Sequence, residues 1–151
     1  MDGANIAILA KTTTAHPTLP GTIYTAAEEL KKLGANVLPI KTDIRFETEV
    51  QAAIDQVIAK FGGIDIVVNN ASAIKFKNSQ GMSMKEFDLI QAINTRGTFL
   101  MSKLAYPHLK KASNPHILTL SPPLVDLAPK WLEPCTGYAI SKYAMSIISF
   151  V

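Results

Sequence analysis

Short, strand-length runs of apolar residues alternate with longer segments of helical pattern along most of this chain. Runs that are apolar throughout fit strands covered on both faces, as the strands of parallel sheets are. Strands that alternate with helices are typical of an α/β protein with a parallel sheet. We therefore predict the α/β class, with strands at residues 5–10, 36–41, 64–69 and 116–120.

The segments between these strands carry helix signals. Residues 46–61 have the clearest pattern, because their apolar residues recur at intervals of three and four and form one stripe. Thr22 suits the N-cap of a helix over 22–33 that a glycine ends. Another helix begins at the capping-box sequence Ser83-Met-Lys-Glu86 and runs to about residue 109, with Pro107 expected to bend or end it.

The composition excludes several classes of protein. With 151 residues, 48% of them hydrophobic and 18% charged, the chain is predicted to form a single globular domain over 1–151. A formal net charge of +3 is too small to indicate nucleic-acid binding. No apolar run approaches the ~20 residues of a membrane span. The histidines lack metal-ligand spacing, and a single cysteine, Cys135, excludes an intrachain disulfide and favours a reducing, intracellular compartment.

The segment Tyr138-Ala-Ile-Ser-Lys142 places a phenol and an ammonium one helical turn apart. Side chains at i and i+4 share a helix face, so both can point at the same substrate atom. A phenol ordinarily holds its proton too firmly for exchange at neutral pH, and a nearby cation eases the exchange because it stabilises the phenolate. The pair suits proton transfer to or from an alcohol or carbonyl oxygen, although the same spacing also occurs in ordinary helix starts.

Three further segments give this pair a context. Asn69-Asn-Ala-Ser72 ends a buried-strand pattern, Asn94-Thr-Arg-Gly97 lies inside a helix, and His116-Ile-Leu-Thr-Leu-Ser121 is a strand with a polar end. In this order and at these separations, the segments resemble the short-chain dehydrogenase/reductase family. The resemblance runs along essentially the whole chain, and it implies a Rossmann-like three-layer sandwich around a parallel sheet.

The resemblance implies a catalytic role for Tyr138, Lys142, Ser121 and Asn94. Tyr138 is expected to transfer the proton, Lys142 to assist it and to bind the cofactor ribose, and Asn94 to support a proton relay within a locally irregular helix. Two interpretations of Ser121 stay open. It shares the charge on the substrate oxygen if residues 124–137 are a simple loop insertion, and otherwise it is a loop serine at the end of its strand.

A nicotinamide cofactor is implied by the same resemblance, with Asn70, Ala71 and Lys142 among its contacts. Lys11 follows the first predicted strand, where a cation favours the 2′-phosphate of NADP over the 2′-hydroxyl of NAD. The alternative is a solvated lysine at a strand end. Asp43 follows the second predicted strand and resembles an aspartate that meets the adenine amino group, or it caps a turn. We therefore expect NADP, with NAD less favoured.

The implied activity is hydride transfer between NADP(H) and an alcohol or ketone. Several segments, among them Lys60-Phe-Gly-Gly-Ile-Asp65, are closer still to one member of the family. That member implies a lipid-like substrate and a peroxisomal or mitochondrial location.

The eight glycines do not form the glycine-rich turn that binds the cofactor pyrophosphate in this family. We therefore expect an incomplete domain, truncated at both ends and without the family's first strand. A second hypothesis is a non-catalytic fragment that acts through subunit association. The helix at 84–109 and the helix after Tyr138 correspond to the helices through which the family forms dimers, which implies a homo-oligomer.

Overall fold

A computed structural model describes residues 3–17, 21–122 and 128–150. The chain divides into two compact units, Met1–Ile64 and Asp65–Val151, each with its own pair of parallel strands. The interpretation of residues 1–151 as one domain stays a prediction. Among the helices of the described residues, none is both long enough and apolar enough to span a membrane.

In the first unit, strand β1 (Asn5–Ala10) pairs in parallel with strand β2 (Asn36–Lys41) along its whole length. Helix α1 (Ile23–Lys32) connects the two strands, and helix α2 (Glu47–Phe61) follows β2. The predicted bounds of both strands are confirmed, and those of both helices hold to within one residue at each end.

Local sequence explains these helices. The Thr22 hydroxyl accepts a hydrogen bond from the Thr25 backbone N–H at 3.1 Å and so caps α1. Helix α2 ends at Gly62, whose φ of 82° lies in the left-handed region that favours glycine. The predicted stripe on α2 is confirmed, since the buried residues of this helix are Val50, Ala53, Ile54 and Val57. Part of this stripe packs on Ile40 and forms the core of the unit.

The second unit holds the parallel pair β3 (Ile66–Asn69) and β4 (His116–Thr119), in which Asn69 lies opposite Thr119. Its helical segments are α3 (Met84–Ile90), a π-helix (Gln91–Gly97), α4 (Thr98–Leu109), α5 (Pro129–Leu132), a 3₁₀ turn (Glu133–Cys135) and α6 (Thr136–Ile148). The capping box at the start of α3 is confirmed, because Ser83 and Glu86 bond each other's backbone N–H groups. Pro107 lies inside α4, which ends two residues later.

Three predicted boundaries differ from the structure. Strand β3 begins two residues late, and β4 ends one residue early. Residues 124–137 were expected to form a loop, but residues 129–137 form α5, the 3₁₀ turn and the start of α6. Pro129 explains part of this error, because proline suits the first turn of a helix as well as a loop. Residues 124–127 lie outside the described residues.

The predicted α/β class with parallel strands is confirmed. Among the described residues, β1 pairs only with β2 and β3 only with β4, so the strands form two separate two-stranded sheets. The strands of both pairs run parallel, as the strands of a Rossmann-like sheet do.

Candidate active site

Tyr138 and Lys142 lie on the same face of α6, as their spacing predicts. The Lys142 Nζ lies 6.0 Å from the centroid of the Tyr138 ring, and it donates a hydrogen bond to the backbone carbonyl of Leu120. Partial burial lowers the pKa of the Lys142 ammonium below its usual value, because burial penalises the charged form. The helix therefore presents a half-buried phenol beside a partly desolvated cation.

Asn94 is fully buried in the π-helix, so the locally irregular helix expected at this position is present. Its Oδ1 accepts the backbone N–H of Ala73 at 2.7 Å, and its Nδ2 donates to the Ala73 carbonyl at 3.0 Å. The same Nδ2 donates to the Ser141 hydroxyl at 2.9 Å. In a π-helix the backbone hydrogen bonds join residues i and i+5 instead of i and i+4, and such segments often occur at functional positions. Here it carries an amide that ties the loop after β3 to helix α6.

Ser141 and Gln91 are two site residues that the sequence patterns did not single out. Ser141 is fully buried, and its hydroxyl donates to the backbone carbonyl of Tyr138 at 2.7 Å. Gln91, the first residue of the π-helix, donates to the carbonyl of Gly137 at 3.1 Å. The π-helix thus reaches two successive backbone carbonyls at the start of α6. Gln91 bonds the Gly137 carbonyl directly, and Asn94 reaches the Tyr138 carbonyl through Ser141. A small polar residue between Tyr138 and Lys142, on the buried side of an amphipathic helix, was the available signal.

The loop after β3 brings a further aromatic residue to the site. The ring of Phe76 meets the ring of Tyr138 edge to face, with the centroids 5.8 Å apart and the planes at 85°. This geometry is one that aromatic pairs prefer. Phe76 was not singled out from the sequence, because an isolated phenylalanine in a loop carries no periodic pattern.

The two asparagines after β3 have different surroundings. Asn69 is buried, and its Nδ2 donates to the Ser102 hydroxyl of α4 at 3.2 Å. Asn70 and Ala71 are exposed at the carboxyl end of the strand. Asn69 therefore fixes the strand on the helix, while the next two residues are accessible to a ligand.

Ser121 is exposed and lies one residue beyond the carbonyl that receives the Lys142 hydrogen bond. Its backbone N–H donates to the carbonyl of Thr119 at 3.0 Å, so the chain turns directly after β4. The structure thus brings the residue preceding Ser121 to the Tyr138–Lys142 pair. Its contact with a substrate oxygen stays a prediction.

In the first unit, Lys11 is exposed directly after β1, and Asp43 follows β2. Arg45 donates to the Asp43 carboxylate from both Nε and Nη2, with the shorter distance 2.6 Å. The Arg45 guanidinium, with a smaller contribution from the Lys11 charge, holds the pKa of the Asp43 carboxyl below its usual value. Arg45 is a further charged residue close to the ends of β1 and β2, and the sequence patterns did not single it out.

No group of three or more histidine, cysteine, aspartate or glutamate residues that would suit a metal ion occurs within residues 3–17, 21–122 and 128–150.

Comparison with known proteins shows the family to which the chain belongs. Residues 7–149 match the family model for short chain dehydrogenases. The chain is 54% identical over 146 residues to hydroxysteroid dehydrogenase-like protein 2 of Danio rerio and 52% identical to the protein of that name of Homo sapiens. Each alignment covers 97% of this chain and 35% of the relative, so the chain spans about a third of the length of these curated relatives.

A solved structure gives the same result for the fold. A short chain dehydrogenase of Mycobacterium thermoresistibile is 51% identical and superposes with a TM-score of 0.92 over 97% of this chain and 52% of that one. The resemblance drawn from the asparagine, tyrosine and lysine motifs is confirmed. The chain belongs to the short-chain dehydrogenase family of oxidoreductases.

Proposed function

We propose that this chain carries the proton-transfer site of an NADP(H)-dependent oxidoreductase that interconverts alcohols and ketones. One observation supports this most directly: the Lys142 Nζ lies 6.0 Å from the centroid of the Tyr138 ring, on one face of α6. A phenol and an ammonium on one helix face can both reach a substrate oxygen, with which the phenol would exchange its proton. The family to which the chain belongs supports the class of reaction.

The donors of the second unit fit the nicotinamide ribose. The Lys142 ammonium has three N–H donors, of which one serves the Leu120 carbonyl, so it retains capacity for ribose hydroxyls. The exposed Asn70 amide and the Ala71 backbone would contact the same part of the cofactor. In the first unit, the exposed Lys11 suits the 2′-phosphate that distinguishes NADP, and Asp43 suits the adenine amino group. The bound cofactor supplies or accepts the hydride.

The residues of this chain transfer a proton to or from the substrate oxygen. In the reduction direction, the carbonyl carbon gains a hydride while its oxygen takes the proton of the Tyr138 hydroxyl. Lys142 stabilises the phenolate that remains, which a proton from water then neutralises. Asn94 holds the loop and α6 together through Ala73 and Ser141 and so fixes the phenol. In the oxidation direction each proton moves the opposite way.

The name of the curated relatives supports a substrate class. Hydroxysteroid dehydrogenase-like proteins are the relatives at 52–54% identity, so we propose a lipid-like alcohol or ketone as the substrate of this site.

The test uses a hybrid enzyme, in which this chain replaces the matching 52% of the Mycobacterium thermoresistibile dehydrogenase. We expect the hybrid enzyme to oxidise NADPH when a ketone is present. Tyr138→Phe removes the proton but keeps the ring, and we expect turnover to fall by ~10²–10⁴-fold with cofactor affinity unchanged. Lys142→Ala is expected to lower both turnover and cofactor affinity.

Tyr143→Phe is the matched control, since it removes a phenol from the same helix five residues further on. Turnover of the Tyr138→Phe enzyme within a few-fold of its parent, or an equal loss in Tyr143→Phe, would reject the proposed site. Binding of NADPH in each variant is measured by fluorescence titration, which separates lost chemistry from lost cofactor.

Association is a second proposal, which a separate observation favours. On α4, Phe99 and Tyr106 are exposed and lie seven residues apart, so they share one face. Ile140 and Ile147 have the same relationship on α6. We propose that copies of the chain associate through these two helices, in the catalytic enzyme or in a non-catalytic fragment alike.

Sedimentation velocity of the chain tests this association. We expect Ile147→Lys to shift the chain towards the monomer, because a charge would then be buried in the contact. Leu33→Lys, at an exposed position that ends α1, is the control and should leave the distribution unchanged. A monomeric parent chain, or identical profiles for all three proteins, would reject the proposal.

A further inference from the structure

Phe76 is a large apolar side chain that remains 71% exposed while its ring contacts the proposed proton donor. Burial of a phenylalanine stabilises a fold by about 1.5–3 kcal/mol, and this residue realises little of that gain. Its neighbour in the loop, Ile74, is also exposed. An apolar surface beside Tyr138 is therefore open to solvent where a substrate oxygen would have to approach.

The backbone on the amino-terminal side of Phe76 is held by Asn94. Ala73, three residues earlier, has its N–H and its carbonyl bonded to the Asn94 side chain at 2.7 and 3.0 Å. The same amide reaches helix α6 through Ser141, which bonds the carbonyl of Tyr138. One buried side chain thus ties the loop of Phe76 to the helix of Tyr138.

The backbone on the carboxyl-terminal side is held by an ion pair. The Lys77 Nζ lies 2.8 and 3.0 Å from the two carboxylate oxygens of Glu86, and Glu86 also accepts the Ser83 backbone N–H at 3.1 Å. Phe76 is therefore an exposed side chain between two anchored points of the loop. A loop that is already held in place loses less conformational entropy when a ligand binds.

We propose that Phe76 is a substrate-binding residue, which packs against the apolar substituent of the carbonyl carbon whose oxygen Tyr138 protonates. This inference rests on the proposed function and deepens it. The ring is adjacent to the phenol, so the group it contacts is the one attached closest to the reacting carbon. Arylalkyl and long alkyl ketones are the substrate class that such a surface selects, because they bury apolar area on the ring that a small ketone does not reach.

The first test measures selectivity in the hybrid enzyme with 4-phenyl-2-butanone, 2-decanone and acetone. We expect Phe76→Ala to lower kcat/KM for the two larger ketones about tenfold and for acetone by less than about twofold, as the loss of one apolar contact surface allows. Relative to Phe76→Ala, Phe76→Leu should restore activity towards 2-decanone more than towards 4-phenyl-2-butanone. Phe150→Ala, at a phenylalanine that is 75% exposed, is the matched control and should change none of the three.

An equal loss for all three ketones would show that Phe76 only supports Tyr138, and no loss would show that the substrate does not reach it. Either result overturns the inference. The pattern expected here is a change in selectivity, which a purely structural role of the ring would not produce.

The second test needs no turnover. Saturation-transfer NMR on the 151-residue chain itself measures binding of 4-phenyl-2-butanone. We expect transfer to the ketone from the parent chain and from Phe150→Ala, and a loss of most of it in Phe76→Ala. Absence of transfer from the parent chain, or undiminished transfer from Phe76→Ala, would overturn the inference.

The two tests separate this inference from the proposed function. Turnover that does not depend on Tyr138 would reject the proposed function, while the binding measurement would still decide the role of Phe76. Turnover that depends on Tyr138, with selectivity and binding indifferent to Phe76, would reject this inference alone.

Discussion

The Asn94 amide donates a hydrogen bond of 2.9 Å to the Ser141 hydroxyl, across 47 positions of sequence. Both side chains are fully buried, and Ser141 passes the contact on to the carbonyl of Tyr138. A buried polar group stabilises a fold only while its partners are present. This bond therefore links the irregular helix, the loop after β3 and the proposed proton donor in one network.

Ser141→Ala is expected to destabilise the chain. It leaves an Asn94 N–H without its hydroxyl partner in the core, and an unsatisfied buried donor costs about 1–3 kcal/mol. Urea unfolding followed by circular dichroism measures the change. Ser146→Ala is the matched control, because its hydroxyl donates only back to its own helix, to the Lys142 carbonyl at 3.4 Å. A free energy of unfolding equally unchanged in both variants would contradict the network.

The elements that the sequence predicted best are those with a local cause. Strand β1 and helix α2 follow from an uninterrupted apolar run and from a strict apolar interval, and the Tyr138–Lys142 face follows from helical spacing. Each of these patterns is contained within one element. A reader of the sequence needs no tertiary information to find them.

The parts that were missed have a non-local cause. The Asn94–Ser141 bond and the Gln91–Gly137 bond join residues 47 and 46 positions apart, and no local pattern encodes such a pairing. A local helix irregularity at Asn94 was expected only from the family resemblance, because no local sequence pattern distinguishes a π-helix from an α-helix. Phe76 contacts Tyr138 only in the folded chain, so the sequence alone does not show that Phe76 lies at the site.

Gly137→Ala is expected to lower the free energy of unfolding, although replacement of a helical glycine with alanine usually raises it. In an unhindered helix, alanine is more favourable than glycine by about 1 kcal/mol. At Gly137, however, the added Cβ would overlap the Met82 Sδ and come within 3.1 Å of the Phe87 Cδ2. The flexible Met82 side chain can move aside, but the Phe87 ring must shift as well, and overpacking costs about 1–3 kcal/mol. We expect a lower urea midpoint for this variant.

Gly63→Ala is the control for that change, because an added Cβ there meets no atom within 4 Å. Its stability should lie within about 0.5 kcal/mol of the parent. A Gly137→Ala chain as stable as the parent, or more stable, would show that Met82 and Phe87 move aside without cost and that the close packing of α6 on α3 is not required.

The start of α3 is expected to weaken in acid. Hydrogen bonds from Lys77 and Ser83 lower the pKa of Glu86 from 4.5 to about 2. Because the folded pKa is lower, the contribution of this carboxylate to stability is complete above pH 4.5 and is lost as the pH falls towards 2. Carbon-detected NMR of the Glu86 carboxylate measures its titration directly. We expect Lys77→Ala to raise the midpoint and Lys85→Ala, a neighbouring lysine, to leave it in place; equal midpoints in all three would contradict the ion pair.

Lys11 is expected to set the choice between the two nicotinamide cofactors. It lies exposed at the carboxyl end of β1, and its charge contributes to the lowered pKa of Asp43. In the hybrid enzyme, Lys11→Asp replaces a cation that attracts a 2′-phosphate with a carboxylate that repels it and accepts from a 2′-hydroxyl. Loss of one charged hydrogen bond costs about 1.5–3 kcal/mol, so NADP affinity should fall roughly tenfold or more while NAD affinity holds or rises.

Lys60→Asp makes the same charge change in the last turn of α2 and should shift both affinities little and equally. Calorimetric titration with both cofactors gives the two ratios, and an unaltered NADP-to-NAD ratio in Lys11→Asp would remove Lys11 from the cofactor site.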